Sequence, residues 1–128
     1  VVSDIEQALN TGVAPWKEIE YRCHDFWVFA DGFPVSTGHL LFVPVMKTPA
    51  CLYKCFEAAY KWGCDGVDDG KWSGFNIGQN VGEVAGQTVD YPHVHMIPRR
   101  LNDTEDPRGG IRNCIPAKGN YYTNRKTK

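Results

Sequence analysis

The chain has 128 residues, 42% of them hydrophobic, which is enough for one globular domain with its own core. A formal charge of −1 supplies no general attraction to nucleic acid. No apolar run approaches the roughly 20 residues of a membrane span, and Val1-Val2-Ser3-Asp4 has neither the basic start nor the hydrophobic centre of a signal peptide, so a single cytoplasmic domain over residues 1–128 is expected.

Ser3 and Glu6 have the spacing of a capping box, which predicts a short helix over residues 4–10 that stops near Gly12. Residues 16–20 and 22–30 read as a hairpin turning at Cys23-His24-Asp25, and Phe26 to Ala30 is a β-prone run that is apolar on both faces. Asp31-Gly32 then reads either as a turn or as a carboxylate placed to accept hydrogen bonds from hydroxyls. His39 to Val43 is a core strand ended by Pro44. Thr48-Pro49 opens one long helix, with Thr48 as N-cap and Pro49 at the first helical position. Leu52, Cys55, Phe56, Ala59 and Trp62 mark its apolar face, and it is expected to fray near Gly63 before a polar loop over 65–71. A strand over 72–80 and a glycine-bearing loop over 81–86 follow, with no phosphate-loop or dinucleotide fingerprint. After Arg100 come a polar loop, a turn at 106–110, and a short strand or helix start over 111–115. Arg108 and Arg112 are read as meeting phosphate, a partner subunit or surface acids, and the basic end, 123–128, as disordered.

The five cysteines are odd in number and contain no Cys-x-x-Cys pair, so they read as reduced thiols. Cys51 and Cys55 lie one helical turn apart, but no second ligand pair completes a metal site, and no metal or cofactor is expected.

The chemistry concentrates in Gly86-Gln87-Thr88-Val89-Asp90-Tyr91-Pro92-His93-Val94-His95-Met96-Ile97-Pro98-Arg99. On a strand, Tyr91, His93 and His95 would share one face. Pro92 lacks an N–H, which places such a strand at a sheet edge or in an irregular ladder. This stretch resembles the signature of the histidine triad (HIT) family of nucleotide hydrolases and transferases, with Tyr91 standing at the first triad position. The resemblance extends to Thr37–Pro44, to 75–86 and to 106–112, and covers residues 15–122 in all.

The resemblance implies an α+β fold: a five-stranded antiparallel sheet with one long and one short helix, paired into a homodimer. It implies His93 as nucleophile toward the α-phosphorus of a purine nucleotide, with His95, His39 and Tyr91 completing the catalytic group and a backbone carbonyl orienting His93. The region of Phe29 is implied to form the purine pocket, and Asp31 to hold the ribose. Asn80, Gln87 and Thr88 are implied to surround the phosphates, the alternative being that they stabilise the loop. Imidazole suits this role because much of it is neutral near pH 7. Attack would give a nucleotidyl-histidine that water resolves. Dinucleoside polyphosphates and nucleoside phosphoramidates are the implied substrates. The rival readings are a nucleotide-binding protein weakened by Tyr91, a nucleotidyltransferase, and metal-dependent chemistry on His39, His93 and His95.

Overall fold

The computed structural model describes residues 2–122. Helix α1 spans Asp4–Thr11, with both halves of the Ser3–Glu6 capping box formed and Gly12 closing it in the left-handed conformation. Strands β1 (Ile19–Arg22), β2 (Phe26–Ala30) and β3 (Leu40–Pro44) follow, then helix α2 (Pro49–Asp68), β4 (Gly74–Gly78) and β5 (Val94–Arg99). Short 3-10 turns occupy Glu83–Ala85 and Gly110–Cys114, and a four-residue helix α3 covers Pro116–Gly119. The five strands form one antiparallel sheet in the order β1-β2-β3-β5-β4, the expected α+β architecture. No helix among the described residues is long and apolar enough to cross a membrane. The basic segment 123–128 lies outside the described residues.

The two faces of the sheet are covered unequally, and this creates the site. Val28, Phe42, Val94 and Met96 point to one face and are fully buried against Cys55 and Ala59 of α2. The opposite face carries Phe29, Leu41 and Val43, which pack with Ile5, Ala8 and Ala14 at the N-terminal end of the domain. The part of this second face around His95 is left open, and cavities form there.

Several boundaries differ from the sequence expectation. Helix α2 does not stop at Gly63 but continues to Asp68. Glycine is a poor helix former, but here it is required by packing: the Phe75 ring fills the space beside Gly63, and the Trp72 indole fills the space beside Gly66. Trp72 is held there by its indole N–H, which donates to the Gly63 carbonyl at 2.9 Å. The first strand begins at Ile19, not Trp16, and β4 is shorter than the expected 72–80. Strand β5 begins only at Val94 and lies inside the sheet, so Pro92 precedes the strand and creates no edge. The proline that does lie in β5 is Pro98, beyond the last residue of β5 paired to β3, Met96, where no ladder donor is needed. Residues 110–114 form a 3-10 turn, fastened by the Arg112 guanidinium to the Gly119 and Lys118 carbonyls, while Arg108 lies over the Tyr122 ring.

A methyl group at position 66 would overlap the anchored indole. Overpacking of this kind costs about 1–3 kcal/mol, against roughly 1 kcal/mol gained in helix propensity. Gly66→Ala is therefore expected to lower the urea midpoint, and a variant as stable as the parent would show that Trp72 does not pack as described.

Candidate active site

His93 and His95 sit where β5 begins, facing the open part of the sheet. Leu41 is the register partner of His95 on β3, so the two side chains rise side by side from the same face. A cavity of about 540 Å³ opens over them, within the range of roughly 300–1,000 Å³ typical of small-molecule sites. Trp16, Asp31, Asn80, Gln87, Thr88 and both histidines are among its lining residues. His93 is only 9% exposed, and what it exposes faces this cavity.

Hydrogen bonds assign the imidazole tautomers. His93 Nδ1 lies 2.8 Å from the Tyr91 carbonyl oxygen, which only accepts, so Nδ1 carries the proton and the Nε2 lone pair is left for chemistry. On His39, Nδ1 accepts the Val35 backbone N–H at 3.2 Å, so its proton is on Nε2. That Nε2–H donates to His95 Nδ1 at 2.9 Å, with Asp31 Oδ2 also near it at 3.4 Å. His95 therefore carries its own proton on Nε2. The relay runs from the Val35 amide through two rings and leaves a donor on His95 beside a bare lone pair on His93.

Burial disfavours the charged forms of His95 and His39. The His95 pKa is pushed down to about 4, chiefly by desolvation, with the neighbouring His93 and His39 adding to the effect and Asp31 opposing it. His39 is lowered for the same first reason, again against Asp31.

The expected site residues fall into three groups. His93, His95, Asp31, Asn80 and Thr88 all line the cavity, and the Asn80 amide and Thr88 hydroxyl have no hydrogen-bond partner among the described residues. His39 stands behind His95, 4% exposed, and orients it. Asp31 acts as a turn residue, one carboxylate oxygen accepting the Phe33 N–H at 2.8 Å, and its side chain also borders the cavity.

Three residues are placed differently. Phe29 is fully buried in the core and does not line the cavity. Trp16 does so instead, its ring tilted against Phe29 with centroids 5.7 Å apart and edge-on to the His93 ring at 4.9 Å. Gln87 borders the cavity, but both of its amide hydrogens go to the Val89 and Asp90 carbonyls while its oxygen accepts the Gly82 N–H. With its donors used up, it braces the loop and has none left for phosphate. Tyr91 leaves the histidine row altogether. Its ring is 2% exposed in the core cluster, and its hydroxyl donates to the Pro44 carbonyl at 2.6 Å, with the Val45 carbonyl at 3.3 Å. The strand alternation behind the expectation does not apply, because residues 91–93 precede β5. Trp16 was missed as a lining residue because it was assigned to a strand. The Pro15 before it was the available signal for an irregular approach.

Asp31, His39 and His95 are the only group among the described residues with metal-binding spacing. The backbone group behind His39 does not suit a metal here. A ligating imidazole needs an acceptor on its other nitrogen, but His39 Nδ1 faces the Val35 N–H, a donor. A metal on His39 Nε2 would place two N–H groups against each other.

The buried neutral histidines link stability to pH. Their folded pKa values lie below the ordinary value near 6.5, so as the pH falls the unfolded chain takes up protons first. The contribution is complete above about pH 6.5 and is lost as the pH drops toward 4. Urea midpoints should fall between about pH 7.5 and about pH 4.5, and His95→Asn should weaken that dependence. An equally steep profile in the variant would remove His95 as its source.

Comparison with known proteins agrees with this geometry. The HIT domain family model matches residues 17–102. An uncharacterized HIT-like protein of Methanocaldococcus jannaschii is 32% identical, covering 73% of this chain and 77% of that one. A zinc-bound histidine triad family protein from Mycobacterium smegmatis has a similar structure, with a TM-score of 0.65, 26% identity, and coverage of 77% of this chain and 76% of that one. A hypothetical histidine triad nucleotide-binding protein from Sulfolobus tokodaii strain7 has a TM-score of 0.59 and 27% identity, with 78% and 70% coverage. With the family model spanning most of the sheet and the histidine stretch, the chain belongs to the HIT domain family, whose membership implies a function of the nucleotide-binding, hydrolase type.

Proposed function

We propose that this protein hydrolyses a purine nucleoside 5′-phosphate derivative at its α-phosphorus, through a covalent nucleotidyl intermediate on His93. The observation that carries the reading is the 2.8 Å bond between His93 Nδ1 and the Tyr91 carbonyl, made at the wall of a cavity large enough for a nucleotide. The base lies against Trp16 and the exposed Phe33 ring, and the ribose hydroxyls reach Asp31, which keeps free lone pairs beyond those used by Phe33 and His39. Asn80, Thr88 and the His95 Nε2–H surround the phosphate as neutral donors.

In the first step, His93 Nε2 attacks phosphorus and the bond to the leaving group breaks. The ring becomes a phosphorylated imidazolium whose positive charge is stabilised by the Tyr91 carbonyl against Nδ1–H. His95 donates a hydrogen bond to the phosphoryl or departing atom, and this donor is prearranged by His39. Water then cleaves the nitrogen–phosphorus bond. Tyr91 does not weaken this scheme, because the orienting group is its backbone oxygen while its phenol is engaged elsewhere. This favours the enzyme reading over a binding protein with lost activity.

The same reading includes a homodimer. Among the described residues strand β4 pairs only with β5, which leaves its outer edge open, and α2 leaves Tyr53 and Tyr60 exposed at 68% and 60%. Light scattering should give twice the chain mass, and a monomer at micromolar concentration would overturn the pairing.

The enzyme reading predicts that a slowly cleaved adenosine phosphoramidate leaves a nucleotidyl adduct visible by intact mass. His93→Ala should abolish the adduct and lower turnover about 10³-fold or more, while chelators leave the parent unaffected. If the phosphoramidate and diadenosine polyphosphates are both untouched while AMP binds, the protein is a binder and the hydrolase reading fails.

A further inference from the structure

Residues 32–38 join β2 to β3 and carry Gly32, Pro34 and Gly38, a composition that favours no regular element. The loop borders two cavities. Phe33 lines the one over His93, and Val35 lines a second, adjoining one that also reaches His39 and His95. Both side chains stand in solvent, at 92% and 71% exposure, so packing does little to fix the loop. Its hydrogen bonds are few. The Phe33 N–H donates to Asp31, the Val35 N–H donates to His39 Nδ1, and the Ser36 carbonyl accepts the His39 N–H at 3.1 Å. Each of these joins the loop to residues at its own ends. Among the described residues, a single hydrogen bond ties 32–38 to another element: the Ser36 hydroxyl donates to the Pro98 carbonyl of β5 at 2.7 Å. Gly38 seats the loop on the same proline, since a Cβ there would come within 3.3 Å of Pro98 Cγ, and its φ of +92° suits glycine.

This anchor matters because of what the Val35 amide does. The amide can only donate, so while it faces His39 Nδ1 that nitrogen keeps its lone pair and the proton stays on Nε2. At 3.2 Å the bond is at the long end of the normal range, so a small lift of the loop removes it. His39 would then be free to carry its proton on Nδ1 and turn a lone pair toward His95 Nδ1, 2.9 Å away. His95 would answer by placing its own proton on Nδ1, and its Nε2 would become an acceptor. The Asp31 oxygen 3.4 Å from His39 Nε2 opposes this exchange, but it lies beyond the range of a good hydrogen bond. We propose that Ser36 is a positioning residue: its bond to Pro98 holds the loop so that the Val35 amide keeps His39, and through it His95, as the Nε2–H tautomer.

The inference rests on the reading of His95 as the donor to phosphate, and it extends that reading to a residue outside the site. Ser36 lines neither cavity, so it acts through the rings and not on the substrate. His93 takes its tautomer from the Tyr91 carbonyl, which this loop does not touch. Loss of the Ser36 hydroxyl therefore separates the two histidines. The attacking ring keeps its lone pair, while the donating ring presents its proton for only part of the time. The effect falls on kcat more than on KM, because a hydrogen bond to the phosphoryl or departing atom strengthens as charge develops there.

The test uses the full chain as the parent, Ser36→Ala, and Ser36→Thr, which keeps the hydroxyl. Position 36 is half-buried in a loop and accepts either change. Two-bond proton–nitrogen correlation spectra of the imidazoles, recorded where the rings are neutral, read the tautomers directly. The parent should show His39 and His95 as single Nε2–H forms. Ser36→Ala should show averaged nitrogen shifts for both rings with His93 unchanged, and Ser36→Thr should return the parent pattern. With adenosine 5′-phosphoramidate as substrate, Ser36→Ala should lower kcat about tenfold and leave KM within about twofold, a part of the roughly 10²–10⁴-fold that acid assistance supplies. Ser36→Thr should recover the parent rate. Parent tautomers in Ser36→Ala, or an equal loss in Ser36→Thr, would overturn the assignment, as would a fall in activity with unchanged ring spectra. If the parent turns over no phosphoramidate and forms no His93 adduct, the hydrolase reading fails by itself, and the spectra alone decide whether Ser36 sets the tautomers.

Discussion

The hydrogen bond from His93 Nδ1–H to the Tyr91 carbonyl sets what the rest of the site can do. An imidazole with either nitrogen free to protonate is a poor nucleophile for part of the time. Fixing one proton on a backbone oxygen leaves a single lone pair with a single direction. That oxygen is in turn held in place, because the Tyr91 side chain is locked into the core through the Pro44 carbonyl at the end of β3. The direction of the His93 lone pair is thus set by packing that lies outside the cavity.

The second histidine is arranged in the opposite sense. His95 accepts from His39 and so presents a donor, and burial keeps both rings uncharged through the physiological range. One lone pair and one N–H side by side are the complementary pair that displacement at phosphorus requires. In the proposed reaction, positive charge on the His93 ring would be favoured by the carbonyl at its back. The same directionality argues against a metal at Asp31, His39 and His95, since the amide behind His39 has no lone pair to offer.

The site exists because one face of the sheet is only partly covered. Helix α2 closes one side along its length, helped by Gly63 and Gly66, which let Phe75 and Trp72 approach the helix axis. On the other side, the N-terminal helix and Tyr91 cover only the end toward β2 and β3. The first cavity lies over the ends of β2, β3 and β5, and the second lies over β5 and β4.

The sequence alone determined the class of fold, the order of the elements and the identity of the histidines, because these depend on local pattern and on a run of motifs along the chain. The caps of both main helices were legible for the same reason: Ser3, Glu6, Thr48 and Pro49 act within one turn. Tertiary structure decided what depends on distant partners. It carried α2 through two glycines, since only the rings of Phe75 and Trp72 explain why no side chain fits there. It moved Phe29 into the core and brought Trp16 to the cavity, and it committed the Gln87 amide to its own loop. It also took Tyr91 out of the row of histidines while keeping its carbonyl in service. Alternation predicts a shared face only within a strand, and where β5 begins is settled by pairing with β3 and β4, which no local pattern contains.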